Sequence, residues 1–177
     1  MKVVMVAVSS LNGKITKGDD SNIYSWTSKE DTKLFFSLIE KNNLIVMGSK
    51  TYEAARSIIK LKPNKLRVVL TKTVNKYRDN VVQGSLEFSN ESPKDLIKRL
   101  EAKDYTEMLL VGGTEVNTAF LKNSLVDELH LTIEPLIFGK GKNLVSEEEF
   151  EVSLELLEVK KLNKKGTLHL IYSFSKN

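Results

Sequence analysis

Two short apolar runs that end in glycine constrain this chain most: "LIVMG" (44–48) and "MLLVGG" (108–113). Neither shows polar alternation, and both are too short for a buried helix. A strand with no polar face must be covered on both sides, which is the condition of a parallel sheet between helical layers. Helical patterns follow both runs, over 51–59 and 115–123, and two more fall at 28–42 and 93–103. The last of these opens with Ser92 as cap, Pro93 in the first turn and Asp95 three residues past the cap. Strand patterns cover 3–8, 44–47, 66–70, 81–82, 108–111, 128–138, 154–162 and 167–174. The last two alternate and are joined by "NKKG", the mark of an antiparallel hairpin. Strands alternate with helices early and follow one another late. The expected fold is therefore α/β: one domain over 1–177, a mixed sheet of about eight strands, mostly parallel with an antiparallel C-terminal edge, flanked by four helices.

Composition narrows the function classes. Apolar residues make up 41% of the 177 positions and charged ones 28%, with no cysteine, so disulfides and thiolate metal sites are excluded. No apolar run is long enough to cross a membrane. The opening "MKVVMVAVSS" has no small-residue cleavage site behind it and reads as a first strand, so a cytoplasmic protein is expected. The net charge of +4 admits an anionic partner. Its lysine clusters, "KLKPNK" and "KKLNKK", carry no interleaved aromatics, which counts against nucleic acid. His130 and His169 lie mid-strand and far apart, without metal-ligand spacing, and no G-x-S-x-G elbow supports a nucleophile. No metal is expected.

In a parallel sheet, ligands gather at the carboxyl ends of the strands. Three such ends carry suggestive residues: "VMGSKTYE" (46–53), "VVLTKT" (68–73) and "LLVGGTEVN" (109–117). Glycine lets a backbone approach a phosphate closely, and the free amides of a helix start favour negative charge. Each segment alone is explained by a strand-to-helix turn that needs glycine. Together, with Lys50, Thr51 and Thr114 as added contacts, they suit a dinucleotide. "GKGKN" (139–143) imitates a phosphate loop but lacks a following helix and reads as a turn.

The helix at 28–42 poses a separate question. Asp31 falls in the middle of the face formed by Leu34, Phe35, Leu38 and Ile39. Two cap registers are available: Ser28 with Asp31 three residues on, or Thr27 with Glu30. The helical wheel favours the second, which leaves Asp31 uncommitted and facing inward. A buried carboxylate costs several kcal/mol, roughly, unless something pairs with it, and a ligand with N–H donors would be such a partner.

In order and spacing, "VAVSSLNGKI", Trp26 five residues before Asp31, Phe35 one turn on, "VMGSKTYE", "RVVLTK", "LLVGGTEVNTAFL" and "VDELHLTIEP" together resemble the dihydrofolate reductase superfamily. That superfamily includes the reductase domain of riboflavin-biosynthesis pyrimidine reductases, and the resemblance covers nearly the whole chain. It implies hydride transfer from NADPH to a conjugated C=N bond, with Asp31 as the pocket carboxylate. Thr132 would hydrogen-bond to that carboxylate, Trp26 would help hold a water, and Phe35 would pack on the substrate ring. Ala7 would contact the nicotinamide amide, and Asn12 to Ile15 would belong to a mobile loop closing over it. Gly48, Ser49, Lys50, Thr51, Thr71, Lys72, Gly112, Gly113 and Thr114 would hold the phosphates and the adenosine end. The arginine that clamps a folate tail has Lys65 as its nearest match, with Lys62 and Arg67 beside it. The segment "IFGKGKNL" is closer to the pyrimidine-reductase branch, while the Trp–Asp–Phe set points to folate. The leading expectation is therefore an NADPH-dependent reductase of dihydrofolate. The alternatives are a reductase of a ribosylamino-pyrimidinone phosphate and a non-catalytic basic protein that binds nucleotide or nucleic acid. As monomer or homodimer, the protein is expected to act on a small molecule, away from membranes and nucleic acid.

Overall fold

The glycine-ended apolar runs form the middle of one sheet. The computed structural model describes residues 1–20 and 22–175. Its elements are β1 (Lys2–Ser10), α1 (Lys29–Lys41), β2 (Leu44–Gly48), α2 (Ser49–Ala55), β3 (Leu66–Leu70), β4 (Leu86–Ser89), α3 (Pro93–Glu101), β5 (Glu107–Leu110), α4 (Thr114–Lys122), β6 (Glu128–Glu134), β7 (Leu154–Lys161) and β8 (Leu168–Phe174). The eight strands stand in the order β4-β3-β2-β5-β1-β6-β8-β7. From β4 to β6 every pairing is parallel. Strand β8 joins β6 antiparallel, and β7 closes the edge against β8. The expected α/β architecture is the one observed.

Strands β2 and β5 sit centrally, and every residue of β2 is buried. The sheet separates two cores. On one face, Val3, Met5, Val46, Val68, Met108 and Leu110 pack with Leu96 and Leu100 of α3 and Phe120 of α4. On the other, Val4, Val6, Ile45, Met47 and Val69 meet Phe35, Leu38 and Ile39 of α1 and Tyr52 of α2. This second face carries the cleft described below.

Four boundaries differ from expectation. Val81 and Val82 are exposed and form no strand; the edge strand is β4, whose Leu86 and Phe88 face inward behind the Gly84 turn. The long strand expected over 128–138 stops at Glu134 because Pro135 has no N–H to continue the ladder. Helix α2 starts on Ser49, directly off the Gly48 cap, and ends at Ala55. A 3-10 helix over Val74–Asn80, which carries no apolar period, was absent from the sequence reading.

The "GKGKN" segment is a turn, as expected, and it has a packing role. Residues 13–18 run along 140–144 through Ile15 N–H to Lys142 O and Gly18 N–H to Lys140 O, both 2.8 Å. A Cβ on Gly141 would run into the carbonyl oxygen of Thr16. Gly141→Ala should therefore destabilise the fold by about 2 kcal/mol, because the two backbones must separate. A lowered urea midpoint at unchanged slope checks this.

Candidate active site

The parallel strands all end on one side, and a cleft of about 1190 Å³ opens there. A single small-molecule pocket spans some 300–1,000 Å³, so there is room for two ligands side by side. One part of the cleft is made of turns. Gly48 caps α2 and Gly113 caps α4, neither helix has a side-chain cap, and the Gly112–Gly113 peptide is cis. The two turns touch: the Gly48 N–H donates to Gly112 O at 2.7 Å. A Cβ on Gly113 would lie 3.2 Å from Thr51 Oγ1, and one on Gly48 would lie 3.0 Å from Val116. Glycine is thus required by close packing here, and the first-turn amides face the cleft without competing side chains.

Ser49, Lys50 and Thr51 line this part together with Thr71, Lys72, Gly112 and Thr114, and Ala7 and Ile15 line the adjoining wall. Three of these groups already have protein partners, Thr71 Oγ1 accepting the Thr73 N–H at 3.2 Å among them. Lys50 Nζ meets Glu115 at 2.7 Å in an exposed pair, and Thr114 Oγ1 donates to Asn143 O at 2.6 Å. Asn12 lies outside the lining: its amide donates to Phe138 O at 2.8 Å and accepts Phe138 N–H at 3.1 Å, tying the β1 loop down. The segment the resemblance makes a mobile loop is thus strapped to the chain beyond β6.

The other part of the cleft is built around Asp31, which is 6% exposed. Its helix starts in the register that the wheel disfavoured. Ser28 is the cap, and its hydroxyl accepts the Asp31 N–H at 3.2 Å. Thr27 Oγ1 is buried without a partner among the described residues. The Asp31 carboxyl still faces inward, because the reciprocal bond that an acid at this position normally makes, to the cap's own N–H, is made by another residue. Ser28 N–H donates to Glu134 Oε1, at the end of β6, at 2.7 Å. Burial pushes the Asp31 carboxyl up to about 6; a hydrogen bond from Thr132 opposes this, and the Glu134 charge adds to it.

Phe35 and Thr132 line the cleft with Asp31, and Trp26 is not part of that lining. Trp26 is buried edge-on against Phe138 at 5.2 Å, and its indole N–H has no protein partner among the described residues. Sequence reading missed His169. It lies directly across from Thr132 in the β6–β8 ladder, with Nδ1 3.4 Å from Thr132 Oγ1, and it lines the cleft. Burial holds its pKa down, favouring neutral imidazole. Only the strand register brings these two residues together.

The expected tail clamp is corrected. Lys65 is buried, and its ammonium donates to the carbonyls of Ile39, Glu40 and Asn42 at the end of α1. Three donors on three carbonyls leave none for a ligand. Lys62 sits at the rim, held by Glu40 at 2.7 Å. The available cation is Arg67, two residues further along β3. It is 6% exposed and lines the cleft, and its Nη1 has no partner among the described residues. Burial pushes its pKa down.

The family model of the RibD C-terminal domain matches residues 1–168. The chain is 26% identical to the uncharacterized protein YwjB of Bacillus subtilis, over 96% of this chain and 97% of that one. It is 30% identical to the dihydrofolate reductase of Candida albicans, over 51% of this chain and 44% of that one. Among solved structures, a pyrimidine reductase-like protein from Corynebacterium diphtheriae superposes with a TM-score of 0.82 at 18% identity, covering 99% of this chain and 92% of that one.

The raised Asp31 pKa has a consequence for stability. The folded state binds this proton more tightly than the unfolded chain, so its contribution is present below the ordinary value of 3.8 and is lost as pH rises to about 6. Asp31→Asn should therefore stabilise the protein above pH 7 by up to about 3 kcal/mol, with the gain vanishing near pH 4. Urea unfolding across that range measures it.

Proposed function

The chain belongs to the RibD C-terminal domain family, and from that premise we propose that it is a reductase that uses NADPH to reduce a C=N bond of a nitrogen-heterocycle substrate, with dihydrofolate as the reading that the Asp31, Phe35 and Thr132 pocket suggests and a ribosylamino-pyrimidinone phosphate as the one that the family suggests. The observation that carries this reading is the Asp31 carboxyl, buried, raised to about 6 and set in one cleft with two uncapped glycine turns.

NADPH supplies the hydride when bound. The residues present suit it: the turns at Gly48 and Gly112–Gly113 offer backbone amides to phosphate, and Lys72 with Lys50 offers positive charge. Ala7 and Ile15 line the same cleft. On the substrate side, Asp31 accepts N–H donors from the ring and, in its protonated form, favours protonation of the ring nitrogen. That leaves the neighbouring carbon electron-poor as it receives the hydride, and the proton and hydride together saturate the C=N bond. Thr132 fixes the carboxyl's orientation, and Phe35 packs on the ring. The Trp26 indole N–H, without a protein partner, suits a water beside the carboxyl.

Arg67 gives the substrate a second mark. Arg67 has no counter-charge among the described residues, which is costly for a buried guanidinium, and an anionic group on the ligand relieves it. Dihydrofolate carries such a group in its glutamate tail. A ribosylamino-pyrimidinone carries one in its phosphate, and membership of the RibD family together with the pyrimidine reductase-like neighbour favours that second substrate. In dihydrofolate the C=N that takes hydride and proton lies in the ring, whereas in the ribosylamino-pyrimidinone it is the imine of the opened sugar side chain, so the two readings share the cleft and differ in which bond is saturated.

Turnover of NADPH, followed by loss of its absorbance, with each substrate in turn decides between them. With dihydrofolate, the rate should fall about tenfold per pH unit above about 6, as Asp31 loses its proton. Asp31→Asn should abolish it, and no turnover of either substrate would overturn the proposal. Arg67→Gln should raise KM about 10- to 100-fold with kcat little changed, the range for one charge-assisted hydrogen bond. An unchanged KM would remove Arg67 from the substrate site.

A further inference from the structure

We propose that Glu134 is the positioning residue of this site: it bonds the Ser28 amide from the neighbouring strand and so leaves the Asp31 carboxyl turned into the cleft with a negative charge behind it. The proposal deepens the reading above and rests on it for the catalytic role of Asp31.

The geometry is specific. Helix starts commonly close with a reciprocal pair, in which the cap hydroxyl takes the N–H three residues on and the acid at that place reaches back to the cap N–H. Here the first half is present, from Asp31 N–H to Ser28 Oγ at 3.2 Å. The second half is supplied from 106 residues away, by Glu134 Oε1 at 2.7 Å. Glu134 is 3% exposed, and its other oxygen accepts the Thr167 hydroxyl at 2.7 Å. Thr167 is itself held by Asn163, in the turn that joins β7 and β8. The carboxylate is thus fixed at both oxygens and has no cationic partner among the described residues.

A cap alone would need only an acceptor, which an amide provides. A carboxylate adds charge, and in a buried setting that charge acts on a neighbouring acid. The titratable groups facing Asp31 are Glu134 from β6, His169 from β8 behind Thr132, and Tyr24 from the 3-10 helix at Ile23–Ser25. Of these, Glu134 makes the Asp31 proton harder to remove.

Glu134→Gln tests the idea, because glutamine keeps an acceptor for Ser28 N–H and removes the charge. The Asp31 carboxyl carbon, labelled with 13C and assigned by its loss in Asp31→Asn, reports the titration without any substrate. The midpoint should fall by about half a pH unit, and the reductase rate above that midpoint should fall about threefold in parallel. An unchanged midpoint in the folded Gln variant overturns the proposal. Glu134→Asp keeps the charge on a shorter arm, so its midpoint should stay near that of the wild type while the Ser28 amide exchanges faster. If the Gln variant does not fold, the Asp variant decides: a midpoint that falls there marks a purely structural role and overturns the proposal. Loss of all reductase activity with the titration as expected would refute the function and spare Glu134. The reverse result would do the opposite.

Discussion

Everything in the site depends on keeping one carboxyl group out of water. Asp31 sits on the apolar stripe of α1, where desolvation works against its charge and only the Thr132 hydroxyl favours it. A burial cost of this size is tolerable because the sheet beneath is covered on both faces by side chains of almost no exposure, among them Leu44, Ile45, Val46, Leu109 and Leu110. The stability those residues supply lets the fold hold an acid in a protonation state that water would not favour.

The parallel and antiparallel halves of the sheet contribute differently. Strands β2, β3 and β5 deliver glycine turns and helix starts to one edge, a place for phosphate that follows from parallel topology. The acid chemistry comes from elsewhere. Thr132 and Glu134 belong to β6; His169 of β8 lies opposite Thr132 across the antiparallel ladder, and Thr167, just ahead of β8, bonds Glu134. The two halves meet at β6, which pairs parallel with β1 and antiparallel with β8; Ala7 of β1, paired with Leu131, lines the cleft.

Legibility in the sequence followed that division. The parallel half was readable because glycine after an apolar run carries a local signal, and Gly48, Lys50, Thr51, Gly112 and Thr114 all line the cleft as expected. Asp31 was readable because helical period alone places it among Leu34, Phe35 and Leu38. What failed needed information from across the fold. The choice between Ser28 and Thr27 as cap is decided by Glu134, more than a hundred residues away. Lys65 looked like a clamp by position, yet the end of α1 lies within reach of its ammonium and takes all three donors. His169 read as an ordinary strand residue until the register put it against Thr132. The strand at 81–82 was misplaced because two adjacent valines outweigh the weaker alternation of "LEFS", which is the true edge strand.

The same long-range logic explains why the polar residues of β6 are not errors of patterning. Glu128, His130, Thr132 and Glu134 alternate along the strand and so share one face. On an isolated strand that would mark a solvent side. Here the face is buried or half-buried, and most of its polar groups are paired: Glu134 with Ser28 and Thr167, Thr132 with Asp31 and His169, and Glu128 with His130 Nε2 and Lys2, while His130 Nδ1 has no partner among the described residues. A single apolar replacement within this column would therefore strand its partner in a dry place, at a cost of about 1–3 kcal/mol for each group left unbonded. The column is tolerable only as a set, and Thr132 is the member of it that lines the cleft and bonds Asp31 there.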